Sequence, residues 1–129
     1  MGQQLRSGKR ADGFTLMELV LVLFIVGLLA AIAIPNVSGS LTRAREAALI
    51  ENLAVIRRAI DHYYSDKGVY PENMTVLVDD RYIQFIPDDP VAGEDIDWVL
   101  EMDQTAGGLR DVRSAAPGTG TNGVSYSAW

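Results

Sequence analysis

From Phe14 to Ile34 the chain is apolar at nearly every position, and Glu18 is the only charge in the run. Coiled as a helix with a rise of about 1.5 Å per residue, such a run matches the roughly 30 Å hydrocarbon layer of a bilayer. Pro35 follows, removing a backbone donor and crowding the preceding turn. Beyond it the pattern changes from continuous to periodic. Leu49, Leu53, Ile56, Ile60 and Tyr63 recur at alternating steps of four and three, which places them along one helix face. Arg43, Arg45, Glu46, Glu51, Arg57, Arg58 and Asp61 fall mainly off that stripe. The pattern predicts one long helix over about 14–64, bent near 35–39 and stopped by Gly68, its first half transmembrane and its second half amphipathic.

After Gly68 the texture turns to short runs and turns. "YPENMTVLVDDRYIQFIPDDPVAG" predicts a short helix around 72–78, then a hydrophobic segment over 82–86 stopped by Pro87 and Pro90. "IDWVLEM", "LRDVRSA" and "VSYSAW" have β-prone character and are separated by "DQTAGG" and "PGTGTNG", the latter reading as a hairpin loop. Three short antiparallel strands are expected. A sheet this small buries one face only against a helix, and the stripe from Leu49 to Tyr63 supplies it. The fold class is therefore α+β: a long bent amino-terminal helix packed on a small three-stranded antiparallel sheet.

Composition narrows the function. At 129 residues the chain accommodates one small domain and a membrane helix. Its net charge is -6, and the cations Arg6, Lys9 and Arg10 cluster ahead of the apolar run. The remainder is acidic, which argues against nucleic acid as a principal ligand. Positive charge before the run places the amino end in the cytoplasm and the bulk of the chain outside. A secretory signal peptide has a shorter apolar region with a small-residue cleavage site after it; "AAIAIP" is the competing site here. With no cysteine, no disulfide braces the domain. A lone histidine, His62, without a second metal-binding partner reads as surface or cap. No thiol nucleophile, phosphate-binding glycine loop or serine elbow occurs, so an enzyme is not expected.

"GFTLMELVLVLFIVGLLAAIAIPN" resembles the class III signal sequence of type IV pilins and type II secretion pseudopilins. The resemblance covers the glycine, the following aromatic, the acid four residues beyond it, the apolar run and the proline at its end. It implies that a prepilin peptidase cuts between Gly13 and Phe14 and methylates the new amino terminus on Phe14, leaving the membrane helix in the mature protein. It further implies that Glu18 serves subunit recruitment and register in a filament core, where an unpaired acid is expensive and a neighbour's cationic amino terminus is a suitable partner. Pro35 belongs to the same assembly segment. The competing reading of Glu18 is a carboxylate near the membrane edge that reaches water and does nothing.

Further along, "DKGVYP", "LVDDRYIQFIPDDP", Trp98 and "DVRSAAPGTGTNGVSYSAW" are similar to the major pseudopilins of type II secretion systems, with Trp98 anchoring the first strand. Such proteins commonly brace a late loop with a calcium ion. Here the acid-rich tail is reduced to Asp111, Ser114 and Asn122, a low-charge set implying weak Ca²⁺ affinity, so calcium stays an open alternative to no cofactor at all. Asp88, Asp89, Glu94, Asp95 and Asp97 lack the alternate spacing of an EF-hand and read as a solvated acidic loop.

The resemblance divides the chain into a basic leader over 1–13, a transmembrane and filament-core helix over 14–35, and a periplasmic globular domain over 36–129. It implies a structural subunit of the periplasmic pseudopilus that exports folded proteins: a homo-oligomeric helical filament, single-pass in the bacterial inner membrane before assembly. The partners implied are a prepilin peptidase, an inner-membrane platform with its ATPase, and minor pseudopilins. A surface type IV pilus subunit, for adhesion, motility or DNA uptake, and a membrane-anchored binding domain are the alternatives.

Overall fold

The computed structural model describes Gly2 and residues 13–129, so the leader expected over 1–13 lies almost wholly outside the described residues. Two compact units divide the chain, the first ending at Ser38 and the second running Gly39–Trp129.

One helix, α1, spans Leu16–Lys67. Thr15 starts it: its side-chain oxygen accepts from Glu18 N at 3.2 Å, and its carbonyl accepts from Leu19 N at 3.1 Å. The helix continues through Pro35. Two side chains beyond the proline add donors to carbonyls of the preceding turn, Asn36 Nδ2 to Ile32 O and Ser38 Oγ to Ile34 O. Gly68 ends the helix as expected, with φ 70° and its N–H on Tyr64 O at 2.8 Å.

In the carboxyl-terminal half of α1, Leu49, Leu53, Ile56, Ala59, Ile60 and Tyr63 are buried, the predicted stripe with one addition. They pack in one cluster with Met74, Leu77, Leu109, Val112, Trp98, Ala116 and Tyr126. Helix α2 spans Met74–Asp79, with Asn73 Oδ1 accepting from Val76 N at its start. It leads into Arg81, a non-glycine residue at φ 64°.

The sheet is antiparallel and has two strands, β1 (Val99–Met102) and β2 (Leu109–Arg113), with a register shift at Glu101/Met102. Asp103 organises their connection by accepting from Thr105 N and Ala106 N. At its far end Gly108 sits at φ 90°, where a Cβ would lie 2.8 Å from Tyr70 Cβ, so only glycine fits. Leu109 N then bonds Pro71 O at 2.6 Å, tying β2 to the segment after α1.

The expected third strand is absent from the described residues. "VSYSAW" instead makes one isolated bridge, Thr119 to Ser125, closing a turn over 120–124, and then a 3₁₀ turn over Tyr126–Ala128. Tyr126 and Trp129 explain the outcome. Their rings pack edge to face, centroids 5.2 Å apart. Residues three apart share a face in a 3₁₀ turn and oppose each other in a strand, so this ring pair selects the turn.

Candidate functional site

The features that point to function lie at the two ends of the described chain. At the amino end, Gly13 and Phe14 precede the first helical residue, and both are exposed. The bond between them is free of helix hydrogen bonding, as a peptide bond must be to be presented to a protease. Glu18 occupies the first turn of α1, where the helix dipole favours an anion, and its side chain is exposed. The stretch that follows is long and apolar enough to cross a membrane, and none of it is buried by the rest of the chain. Leu19 to Ile34 therefore presents apolar side chains around its whole circumference.

At the other end the terminal segment is held against α1 by charged side chains. Glu46 is 5% exposed. Its Oε1 accepts from Thr121 N at 2.9 Å and from the Tyr126 hydroxyl at 2.8 Å, and its Oε2 accepts from the Thr121 hydroxyl. These hydroxyl bonds, Thr121 first, hold the Glu46 carboxyl below its ordinary range despite burial. The same bond raises the Tyr126 phenol, because it favours the protonated oxygen. Eleven residues on, Arg57 reaches three oxygens: Nε bonds Asp111 Oδ1 at 2.8 Å, and Nη2 bonds Val112 O at 3.0 Å and Trp129 O at 2.9 Å.

A third polar cluster lies under the 87–98 loop. Asp89 is buried; its Oδ1 accepts from Val91 N and Ala92 N at 2.9 and 3.0 Å, and Ser114 Oγ donates to its Oδ2. Trp98 is the expected anchor, buried beside this loop with Nε1 on Pro87 O at 2.8 Å. Of the five acids read as a solvated loop, Asp88, Glu94, Asp95 and Asp97 are exposed and Asp89 is not.

Residues 8–34 match the family model described as the prokaryotic N-terminal methylation motif. The chain is 30% identical to a type II secretion system core protein G of Aeromonas hydrophila over 98 residues, covering 64% of this chain and 68% of that protein. The chain belongs to the type II secretion system core protein G family. Core protein G of Escherichia coli is 28% identical over 129 residues, 88% of this chain and 86% of the relative. The fimbrial protein EcpC of Eikenella corrodens is 34% identical over a shorter 79 residues, 57% of this chain and 52% of that protein. No solved structure matches significantly.

Asp111, Ser114 and Asn122, the oxygens expected to form a weak calcium loop, each already have partners within the chain. Asp111 Oδ1 already accepts from Arg57 and from Val112 N, and a guanidinium at 2.8 Å repels a second positive charge. Ser114 Oγ is committed to Asp89 and to Ala116 N, and Asn122 Oδ1 accepts from Val124 N. A hard cation needs six to eight oxygens aimed at one point. Among the described residues no group of three or more acids or histidines is placed to hold a metal.

Glu46, Thr121 and Tyr126, central to this end, escaped the sequence reading, and the first had left a signal. Stepping three back from Leu49 continues the buried stripe onto Glu46, an acid at an apolar position. Thr121 and Tyr126 are its partners across 75 and 80 residues, which no local pattern reveals.

Proposed function

We propose that this chain is a structural subunit, not an enzyme, that polymerises through its amino-terminal helix into the periplasmic pseudopilus of a type II secretion system. The observation that carries this reading is an apolar helix left wholly uncovered, introduced by a non-helical, exposed Gly13–Phe14 bond inside a methylation motif. A prepilin peptidase would cut that bond and methylate Phe14. Before assembly the helix crosses the inner membrane, amino end in the cytoplasm and the globular unit in the periplasm. In the filament, the helices pack together away from water, where an unpaired Glu18 is costly and the amine of a neighbouring Phe14 is its natural partner. Contacts that join subunits head to tail without closing give an open fibre. Extraction from the membrane requires energy from a partner ATPase acting through a membrane platform, with minor subunits completing the structure.

Glu18→Leu tests the reading. The variant is expected to insert into the membrane and to be processed to a methylated Phe14, seen by mass spectrometry of the mature amino terminus, while filament yield collapses. Normal filament yield from Glu18→Leu, or a mature terminus other than Phe14, refutes it. The fimbrial relative supports a second reading, a surface pilus subunit, which immunolabelling of the filament outside the outer membrane would favour.

A further inference from the structure

We propose that in this chain two side chains of α1, Arg57 and Glu46, brace the carboxyl-terminal segment in place of a divalent cation, so that the domain holds its fold without calcium. A loop-bound cation works by drawing several oxygens from separated segments to one positive centre. The Arg57 guanidinium does this covalently attached to the helix. It gathers a carboxylate oxygen of Asp111, the carbonyl of Val112 in β2 and the carbonyl of Trp129 beyond the last turn. Its planar fork of donors suits three oxygens held at fixed angles. A calcium ion at Asp111 would have to displace this charge or sit against it.

Glu46 closes the remaining gap with the opposite sign. The segment over 117–126 turns back through Gly118 and Gly123, both at positive φ, and presents Thr121 and Tyr126 to the helix. One carboxylate accepts from three donors there, so both of its oxygens are satisfied although the residue is buried. Gly120 lets the Trp129 ring pack against this turn: a Cβ at that position would stand 2.5 Å from Trp129 Cζ2. Together the two side chains fasten both halves of the terminal segment to α1, while Ser114 Oγ is bonded to Asp89 and Asn122 Oδ1 accepts from Val124 N.

The test uses the full-length protein in detergent micelles. Thermal unfolding is followed by tryptophan fluorescence in about 10 mM CaCl₂ and in excess EGTA; at this concentration even a site of millimolar affinity is mostly filled. The midpoints are expected to agree within about 1 °C, whereas a filled site would raise the calcium midpoint by more than about 5 °C and overturn the proposal. Arg57→Gln and Glu46→Gln are expected to lower the midpoint equally in both buffers and to expose 117–124 to limited proteolysis. Should either variant not fold, Thr121→Val, which removes one hydroxyl donor to Glu46, is expected to give a smaller loss with the same indifference to calcium. An unchanged midpoint in all the variants that fold, or restoration of any of them by CaCl₂, overturns it as well.

Discussion

The buried Asp89–Ser114 pair supports a quantitative prediction. In Asp89→Ala, the Ser114 hydroxyl loses its acceptor in a site closed to water, and the half-buried N–H groups of Val91 and Ala92 lose theirs. A buried donor left unmade costs about 1–3 kcal/mol, and each half-buried N–H about 0.5–1 kcal/mol after water partly replaces the carboxylate. The sum is about 3 kcal/mol. Ser114→Ala strands Asp89 Oδ2 and the Ala116 N–H, for about 2–3 kcal/mol. The double variant leaves neither partner of the shared bond stranded, so its cost is about 3–4 kcal/mol rather than the sum, a coupling of about 2 kcal/mol. For a domain of this size 1 kcal/mol moves the midpoint by about 4–8 °C, so Asp89→Ala is expected to melt at least about 12 °C early. Urea unfolding of the full-length protein in micelles provides the free energies. Trp98 is a built-in reporter, since its indole bonds Pro87, two residues from Asp89. Additive single effects, or an Asp89→Ala loss under about 1 kcal/mol, would refute the reasoning.

Two further predictions concern Glu46 and Arg81. Because the Glu46 carboxyl is depressed in the folded state by Thr121 and Tyr126, its contribution is complete above the ordinary value of 4.5 and fades as pH falls through the lower folded value. Melting midpoints taken from pH 7 to pH 3 should therefore show an acid-side loss that is smaller in Glu46→Gln, and identical pH profiles would contradict this. Arg81→Gly is expected to stabilise by about 0.5–1 kcal/mol in urea titrations, since Arg81 holds φ 64°, where side chains with a Cβ are strained; a destabilised variant would show that the arginine side chain matters more than its backbone.

Periodic features of this chain were legible in its sequence, and paired ones were not. The steps of four and three from Leu49 to Tyr63 named the buried face of α1, because helix geometry converts spacing directly into direction. Gly68 stopped the helix for an equally local reason. Gly13, Phe14 and Glu18 stood out as a motif, although the processing and assembly roles proposed for them involve partners that one chain does not contain. Glu46 and Asp89, by contrast, are acids whose burial depends on donors brought from far away in sequence. An isolated acid in a sequence reads as solvated until its partner is known. The misjudged third strand has the same origin: "VSYSAW" alternates well enough for a strand, but Tyr126 meets both Trp129 and Glu46 only if the backbone turns.

The uncovered stretch of α1 has a thermodynamic consequence for the proposed filament. When a subunit leaves the bilayer for a bundle of like helices, its apolar surface passes from lipid tails to leucine, isoleucine and valine side chains, and water takes part in neither state. The hydrophobic effect, which draws its strength from water, then contributes little to the difference. What remains is the closeness of helix-to-helix packing and the pairing of a few polar groups. A balance that fine shifts tenfold for about 1.4 kcal/mol per subunit. Such a polymer is poised to grow under an external drive and to dissolve back into the membrane when the drive stops.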